Sequence, residues 1–543
     1  MFTTSIKANL IDIFQRKTYP VCITVQNGRI KTIEEITDWQ EVYILPGFVD
    51  AHVHIESSML VPTEFARIAS VHGTVATVSD PHEIANVCGM EGVQFMIDNA
   101  KKTPFKIFFG APSCVPATNF ETAGATLDAV NVKKLLASND IWYLSEMMNF
   151  PGVINDDPEV MAKIEAAKMM NKPIDGHAPN VRNTSIKKYA AAGINTDHES
   201  TTLEEALEKI SLGIRCLIRE GSAAKNFEAL IEILKYHPEM VMFCSDDKHP
   251  DELVLHHINH HVKRALAKGY DLYDVLRAAC INPVLHYQIP VGLLRIDDTA
   301  DFILINNPND FDILCTYING EEVAKGGETL LPSVPISLIN NFNCLPFEPS
   351  NFRVLHKSYQ TEIPVIVALE GQLITKKEMH LPKLDAGTII SDVERDILKI
   401  VVINRYYPQT QPAIAFIKNF GLKKGAIAST VAHDCHNIIA VGVDDESICA
   451  AVNSLIETKG GITVVESPQV VINMRLPIAG LMSNQDGHTL AKEYATLDSA
   501  AKKLGSNLKA PFMTLSFMAL LVIPEIKLSD KGLFDGNKFE FIV

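Results

Sequence analysis

Short apolar runs that end in a polar residue recur along the first 250 positions, and stretches with helical periodicity separate them. Residues 42–49 read Val-Tyr-Ile-Leu-Pro-Gly-Phe-Val and lead into Asp50-Ala51-His52-Val53-His54. Residues 74–80 form a similar run, followed by Pro81 and His82. Four later runs, at 140–149, 173–180, 193–199 and 240–247, offer Glu146, His177, His198 and Asp246. Residues 157–170, 202–212 and 224–236 carry the spacing of amphipathic helices. Strand, polar tip, helix, repeated, predicts a parallel (β/α)8 TIM barrel with its chemistry at the carboxyl ends of the strands.

The tips specify what that chemistry is. Side chains alternate along a strand, so His52 and His54 point the same way, with Val53 packed behind them. Together with Glu146, His177, His198 and Asp246 they make a set of four imidazoles and two carboxylates. Such a set suits two divalent first-row ions with one carboxylate between them. Taken singly, Asp246 reads better as a helix cap at Ser245-Asp246-Asp247, and His82 could equally bond loop backbone. Asp247 competes with Asp246 for any proton-carrying role. Glu199, next to His198, is placed to hold that imidazole's tautomer.

Longer strings narrow the reading. His52-Val53-His54-Ile55-Glu56-Ser57-Ser58-Met59, Asp80-Pro81-His82-Glu83-Ile84-Ala85-Asn86, Asp175-Gly176-His177-Ala178-Pro179, Arg219-Glu220-Gly221-Ser222-Ala223 and Asp246-Asp247-Lys248-His249-Pro250 resemble the bacterial adenine deaminases of the amidohydrolase superfamily. Ala432-His433-Asp434-Cys435-His436-Asn437 and Leu476-Pro477-Ile478-Ala479-Gly480-Leu481-Met482-Ser483 extend the resemblance to nearly the whole chain. Many members of that superfamily bridge their metals with a carbamylated lysine. This chain has Glu146 at that place, as the adenine deaminases do.

The resemblance implies an amidohydrolase-type barrel with a small flanking β-sandwich and a separate C-terminal α/β domain. It implies hydrolysis of adenine to hypoxanthine and ammonia, by attack at C6 of a hydroxide held between two divalent ions. Manganese or iron(II) is expected, ahead of zinc. His52, His54, Glu146, His177, His198 and Asp246 are the expected metal ligands, and Asp246, His82 and Glu146 the expected catalytic residues. Glu56, Ser57, Glu83 and Arg219 are candidate contacts to the purine edge, with Glu220 a further one.

The boundaries follow the same pattern. Residues 1–46 and 291–330 are expected to form one composite β-sandwich, the first piece carrying an Asn27-Gly28 hairpin signal. The barrel is expected over 47–290, a Pro-rich linker over 331–364, and the C-terminal domain over 365–543. Two i,i+4 histidine pairs, His256 with His260 and His257 with His261, read as an exposed helix face rather than a metal site. His433 and His436 could reach over the barrel or only order a loop.

Composition removes other classes. A net charge of −16 without a basic run argues against nucleic acid or an anionic membrane as partner. Ten scattered cysteines fit reduced thiols, and Met1 to Lys17 lacks a signal-peptide pattern, so a cytoplasmic protein is expected; a homo-oligomer, taken as a dimer, is a separate expectation. The apolar run Phe512 to Ile523 is too short for a bilayer and reads as core. No Pro-Cys-x-x-Cys occurs, which removes the cytidine-type zinc deaminases. A cyclic-amide hydrolase, an enzyme for another nucleobase and a metal-free scaffold remain as alternatives.

Overall fold

A computed structural model describes residues 3–222, 224–357 and 361–542. Its centre is a parallel barrel. The strands Phe48–Val53, Thr74–Ser79, Lys106–Ala111, Ile141–Met147 and Ile174–Gly176 pair side by side, as do Thr196–Asp197, Arg215–Arg219 and Val241–Cys244. Asn195 N donates to Ile174 O at 3.2 Å, and Asp246 N to His52 O at 3.0 Å, so both seams between the two groups are joined. Parallel strands buried on both faces need near-continuous apolar sequence, and Val75, Val78, Leu144, Ile218 and Phe243 supply it.

Several helices begin where the sequence carries a cap. Asp157 accepts from Glu159 N and Val160 N and starts the helix Pro158–Met169. Thr202 accepts from Glu205 N and starts Leu203–Ser211. Each satisfies backbone donors that a helix start leaves open. The helix expected over 224–236 is broken into a short turn, Phe227–Leu230, and a 3-10 segment, Ile231–Lys235. At its start, the Asn226 side chain accepts from Arg219 N and donates to His198 O and Ser200 O, tying the segment to two neighbouring strand ends. Ala223 lies outside the described residues.

The histidine face expected to be exposed is not. His256 and His260 are half-buried and stack on each other at 4.2 Å between centroids. His257 and His261 are buried, and His261 stacks on Phe243. His257 Nε2 lies 2.8 Å from Asp50 Oδ2, while Asp50 Oδ1 accepts from Ser245 N at 3.0 Å. This buried pair fastens the first barrel strand to the turn after the eighth. Helical spacing alone did not tell the inward face from the outward one.

Around the barrel lie two eight-stranded sheets, with two small three-stranded ones beside them. Strands between Thr3 and Pro46 join strands between Phe302 and Thr329 in one eight-stranded sheet. Gln26 pairs with Arg29 across Asn27 and Gly28, which take φ of 50° and 75°, the left-handed geometry a two-residue hairpin requires. Tyr43–Pro46 pairs with Phe302–Ile305 and so links sequence from both sides of the barrel. Residues 363–475 hold a second eight-stranded, mainly antiparallel sheet, covered by the helix Asp445–Thr458. Residues 512–523 are almost wholly buried, as core. No helix among the described residues is long and apolar enough to cross a membrane.

The C-terminal region packs on the barrel mouth. Asn437 Nδ2 donates to Thr122 O at 2.9 Å, Thr122 N to Asp530 Oδ1 at 3.0 Å, and Ser483 N to Met59 O at 2.8 Å.

Candidate active site

The strand ends bring the expected residues together. His52 and His54 end the first strand, Glu146 lies on the fourth, and His177, His198 and Asp246 follow the fifth, sixth and eighth. All six are at least 95% buried. Gly176 permits the close approach of the fifth and sixth strands, because a Cβ there would meet Thr196 O at 2.4 Å.

Glu146 sits at the centre. Its Oε1 lies 3.2 Å from His54 Nε2 and 4.0 Å from His52 Nε2. Its Oε2 lies 2.9 Å from His177 Nδ1 and 3.1 Å from His198 Nε2. One carboxylate thus faces two pairs of imidazoles, one pair per oxygen. Burial opposes its charge, but His198 and His177 outweigh that and hold the carboxyl well below its usual range.

Asp246 divides its oxygens differently. Oδ1 lies 3.4 Å from His54 Nε2 and 3.8 Å from His52 Nε2, and Oδ2 accepts from Arg219 Nη1 at 2.5 Å. Against the cost of burial, Arg219 and His54 hold Asp246 well below the usual carboxylate range. Its φ of 53° is sparsely populated for a residue with a side chain, the kind of local strain that collects at functional sites. Arg219 also donates to Glu199 at 2.6 and 2.9 Å, so its guanidinium is committed to two carboxylates. Asp247 Oδ1 accepts from Ser57 Oγ at 2.5 Å, and burial, then the charge of Asp246, raises its carboxyl.

The donor set fits divalent cations. His54 Nδ1 lies 3.2 Å from the carbonyl of Asp80, which can only accept, so Nδ1 carries the proton. In the neutral ring the Nε2 lone pair then faces Glu146 and Asp246, and it meets His52 Nε2 at 3.2 Å. Lone pairs and carboxylate oxygens converging in a buried space repel unless a cation lies among them. His52, His54 and Asp246 form one such group, and His52, Glu146 and His198 another. The Nδ1 bond to a carbonyl is the second contact that metal-binding histidines characteristically make.

His82 begins the helix His82–Ala100, its Nδ1 3.0 Å from Asp80 Oδ2 and 3.7 Å from Glu146 Oε1. Glu83, next in the chain, is gripped from the C-terminal region by His433 Nδ1 at 2.6 Å and by His436 Nε2. His436 Nδ1 accepts from Ala432 N, so its Nε2 is left to donate to Glu83. This arrangement makes the trio a clamp on the carboxylate and not a further metal group. The two histidines lie 350 and 353 positions beyond Glu83 in sequence.

A small cavity of about 20 Å³ lies among these groups, walled also by Met148, Leu373, Asp434, Phe517 and Leu520. Glu83 and Arg219 line it. Glu56 and Ser57 do not: Glu56 Oε1 accepts from Ile84 N at 3.2 Å, and Ser57 is bonded to Asp247. Glu220 faces away and pairs with Arg264 at 2.5 Å. The roofing residues Leu373, Phe517 and Leu520 carry no chemical signature in sequence, so only the fold reveals them.

Comparison with known proteins shows the chain's family. Residues 43–323 match the amidohydrolase family, and residues 372–540 match the adenine deaminase C-terminal domain. An adenine deaminase of Sulfurovum sp. (strain NBC37-1) is 55% identical over 537 residues, 99% of this chain and 98% of that one. An adenine deaminase of Methanosarcina acetivorans is 52% identical over 545 residues, 98% of each chain. Among solved structures, a dihydropyrimidinase from Brevibacillus agri NCHU1002 covers 61% of this chain and 96% of its own, with 11% identity and a TM-score of 0.46. With relatives this similar along almost the full length, the chain belongs to the adenine deaminase family of amidohydrolases.

Proposed function

We propose that the protein hydrolyses adenine to hypoxanthine and ammonia, with two divalent ions at the barrel mouth, manganese or iron(II) in preference to zinc. The observation that carries this reading is Glu146, one carboxylate set between two histidine pairs. His52, His54 and Asp246 would hold one ion and His177 and His198 the other, with Glu146 common to both. Divalent ions bound there acidify a water and so supply a nucleophile at neutral pH.

The protein's own groups handle the protons. Asp246, ionised beside Arg219, is placed to take a proton from the attacking water and pass it toward the ring nitrogen or the leaving amine. His82, held by Asp80, lies on the opposite side of Glu146 from His177 and can orient the water. Glu83, fixed by His433 and His436, turns a carboxylate toward the same cavity and can accept from the purine amino or ring N–H edge. The C-terminal roof excludes water around these contacts, which strengthens each of them.

We further read residues 1–46 with 291–330, 47–290, 331–364 and 365–543 as flanking β-unit, catalytic barrel, linker and C-terminal domain. The strand pairing of Tyr43–Pro46 with Phe302–Ile305 supports the first of these.

The test is ammonia release from adenine, adenosine, guanine and cytosine by protein loaded with manganese or iron(II). Adenine should be used best, since a ribose on N9 adds bulk that the roof would have to clear beyond the base itself. Equal or better use of adenosine would overturn the base assignment.

A further inference from the structure

Two cavities adjoin above the barrel mouth. The inner one, about 20 Å³, has room for about one water and none for a purine. The outer one, about 260 Å³, lies between the barrel segment around residues 222–252 and the C-terminal region. That volume approaches the roughly 300 Å³ at which small-molecule sites begin. Leu373 and Phe517 line both cavities and so form the partition between them. Their carbonyl oxygens both accept from Lys527 Nζ, at 2.6 and 2.9 Å, which ties the partition to a single buried side chain.

The outer chamber has polar groups that the protein leaves unused. Tyr494 is 2% exposed, and its hydroxyl has no hydrogen-bond partner among the described residues. Asp251 Oδ1 is likewise buried without one. His249 packs edge-on against the Tyr494 ring at 4.7 Å between centroids. Burial pushes its imidazole down to about 3, so it is neutral near pH 7. A hydroxyl, a carboxyl oxygen and a neutral ring nitrogen together match a planar heterocycle that carries both N–H donors and ring-nitrogen acceptors. Asp251, Glu252, Glu370 and Asp498 outnumber Lys225 and Lys509 in the lining, a balance that disfavours anions such as nucleotides.

We propose that the outer chamber is a second subsite for the free base, in which adenine is held by Tyr494, Asp251 and His249 before Leu373 and Phe517 part to admit it to the inner site. This rests on the substrate reading above. It adds a place where the base is selected against nucleotides before it meets the metals.

The experiment measures kcat and KM for adenine, with metal content, on manganese-loaded wild type, Tyr494→Phe and Thr514→Trp. Thr514 lines the outer chamber alone, so an indole there fills it. Thr514→Trp should lower kcat/KM at least tenfold with its metals retained. Tyr494→Phe, nearly isosteric, should raise KM about fivefold at unchanged kcat, the effect of one neutral hydrogen bond. If Thr514→Trp fails to fold, the Tyr494→Phe result decides alone. Wild-type KM in Tyr494→Phe, or wild-type kcat/KM in a folded Thr514→Trp, overturns the subsite. A wild type inactive on adenine but active on another base sinks the substrate reading instead, and the same variants assayed on that base still decide whether the chamber is used.

Discussion

Asp246 Oδ2 accepts from Arg219 Nη1 at 2.5 Å while Asp246 Oδ1 faces His54 Nε2 at 3.4 Å. A single carboxylate thus joins the imidazole cluster to a guanidinium that itself holds Glu199. The arrangement keeps Asp246 ionised and in place. Asp246→Asn keeps the shape and one acceptor oxygen but loses the charge. It should retain most of the metal and lose roughly two to four powers of ten in kcat. Metal analysis beside steady-state rates checks both halves. Retained activity here, with loss in Asp247→Asn, would transfer the role to the neighbour.

Arg219→Met should act on stability as well. It strands the buried carboxylates of Glu199 and Asp246 without their partner. Removing one member of a buried ionic network costs about 3–5 kcal/mol. Urea unfolding of the metal-loaded protein should show a loss of unfolding free energy of that size, and a loss under about 1 kcal/mol would count against the network.

Glu146→Gln should lower metal content and activity together, because the amide nitrogen cannot take over either oxygen's place between imidazoles. Elemental analysis after dialysis gives the answer. Full metal occupancy in this variant would exclude Glu146 from the shared position.

His436→Leu removes the donor that pins Glu83 from the C-terminal region. Loss of such a supporting contact costs about 10–100-fold. The loss should appear in kcat/KM for adenine with metal content unchanged, and restoration by His436→Gln would show that the hydrogen bond matters. Metal loss in His436→Leu would mean that the histidine supports the metal site.

Lys527 gives a stability dependence on pH. Its Nζ meets two carbonyl oxygens, and burial lowers it from 10.5 to about 7. A neutral amine has two N–H groups, which match those two acceptors. Between about pH 7 and 10.5 the unfolded chain binds one more proton than the folded chain at this site, so stability rises with pH through that window. The slope is about 1.4 kcal/mol per pH unit, and below pH 7 this group adds no further dependence. Urea unfolding from pH 7 to 9.5 should show wild type gaining on Lys527→Met, and parallel curves would contradict the depressed lysine.

Much of the site was legible because its residues sit at fixed places in a local pattern. His52 and His54 obey strand alternation, and Glu146, His177, His198 and Asp246 each follow an apolar run. Helix starts at Asp157 and Thr202 were readable for the same reason. What stayed hidden was long-range. The Lys106–Ala111 strand bears no ligand and so gave no chemical mark. His257 looks like the half-buried histidines near it until Asp50 is found beside it, 207 positions away. The grip of His433 and His436 on Glu83 depends on how the C-terminal region lands on the barrel, and no local spacing encodes that.

The pairing of Phe302 with Pro46 bears on how the molecule is made. A ribosome releases Tyr43–Pro46 long before its hydrogen-bonding neighbour, with the whole barrel still to be synthesised between them. Until Phe302–Ile305 emerges, that early strand presents an open edge of the kind that recruits other chains. Closing the sheet across so long a loop is slow, so the nascent protein stays exposed to misassembly until the strand beyond its barrel has emerged and paired. Once closed, the same pairing leaves the barrel's beginning and end joined side by side, and fraying at one must disturb the other.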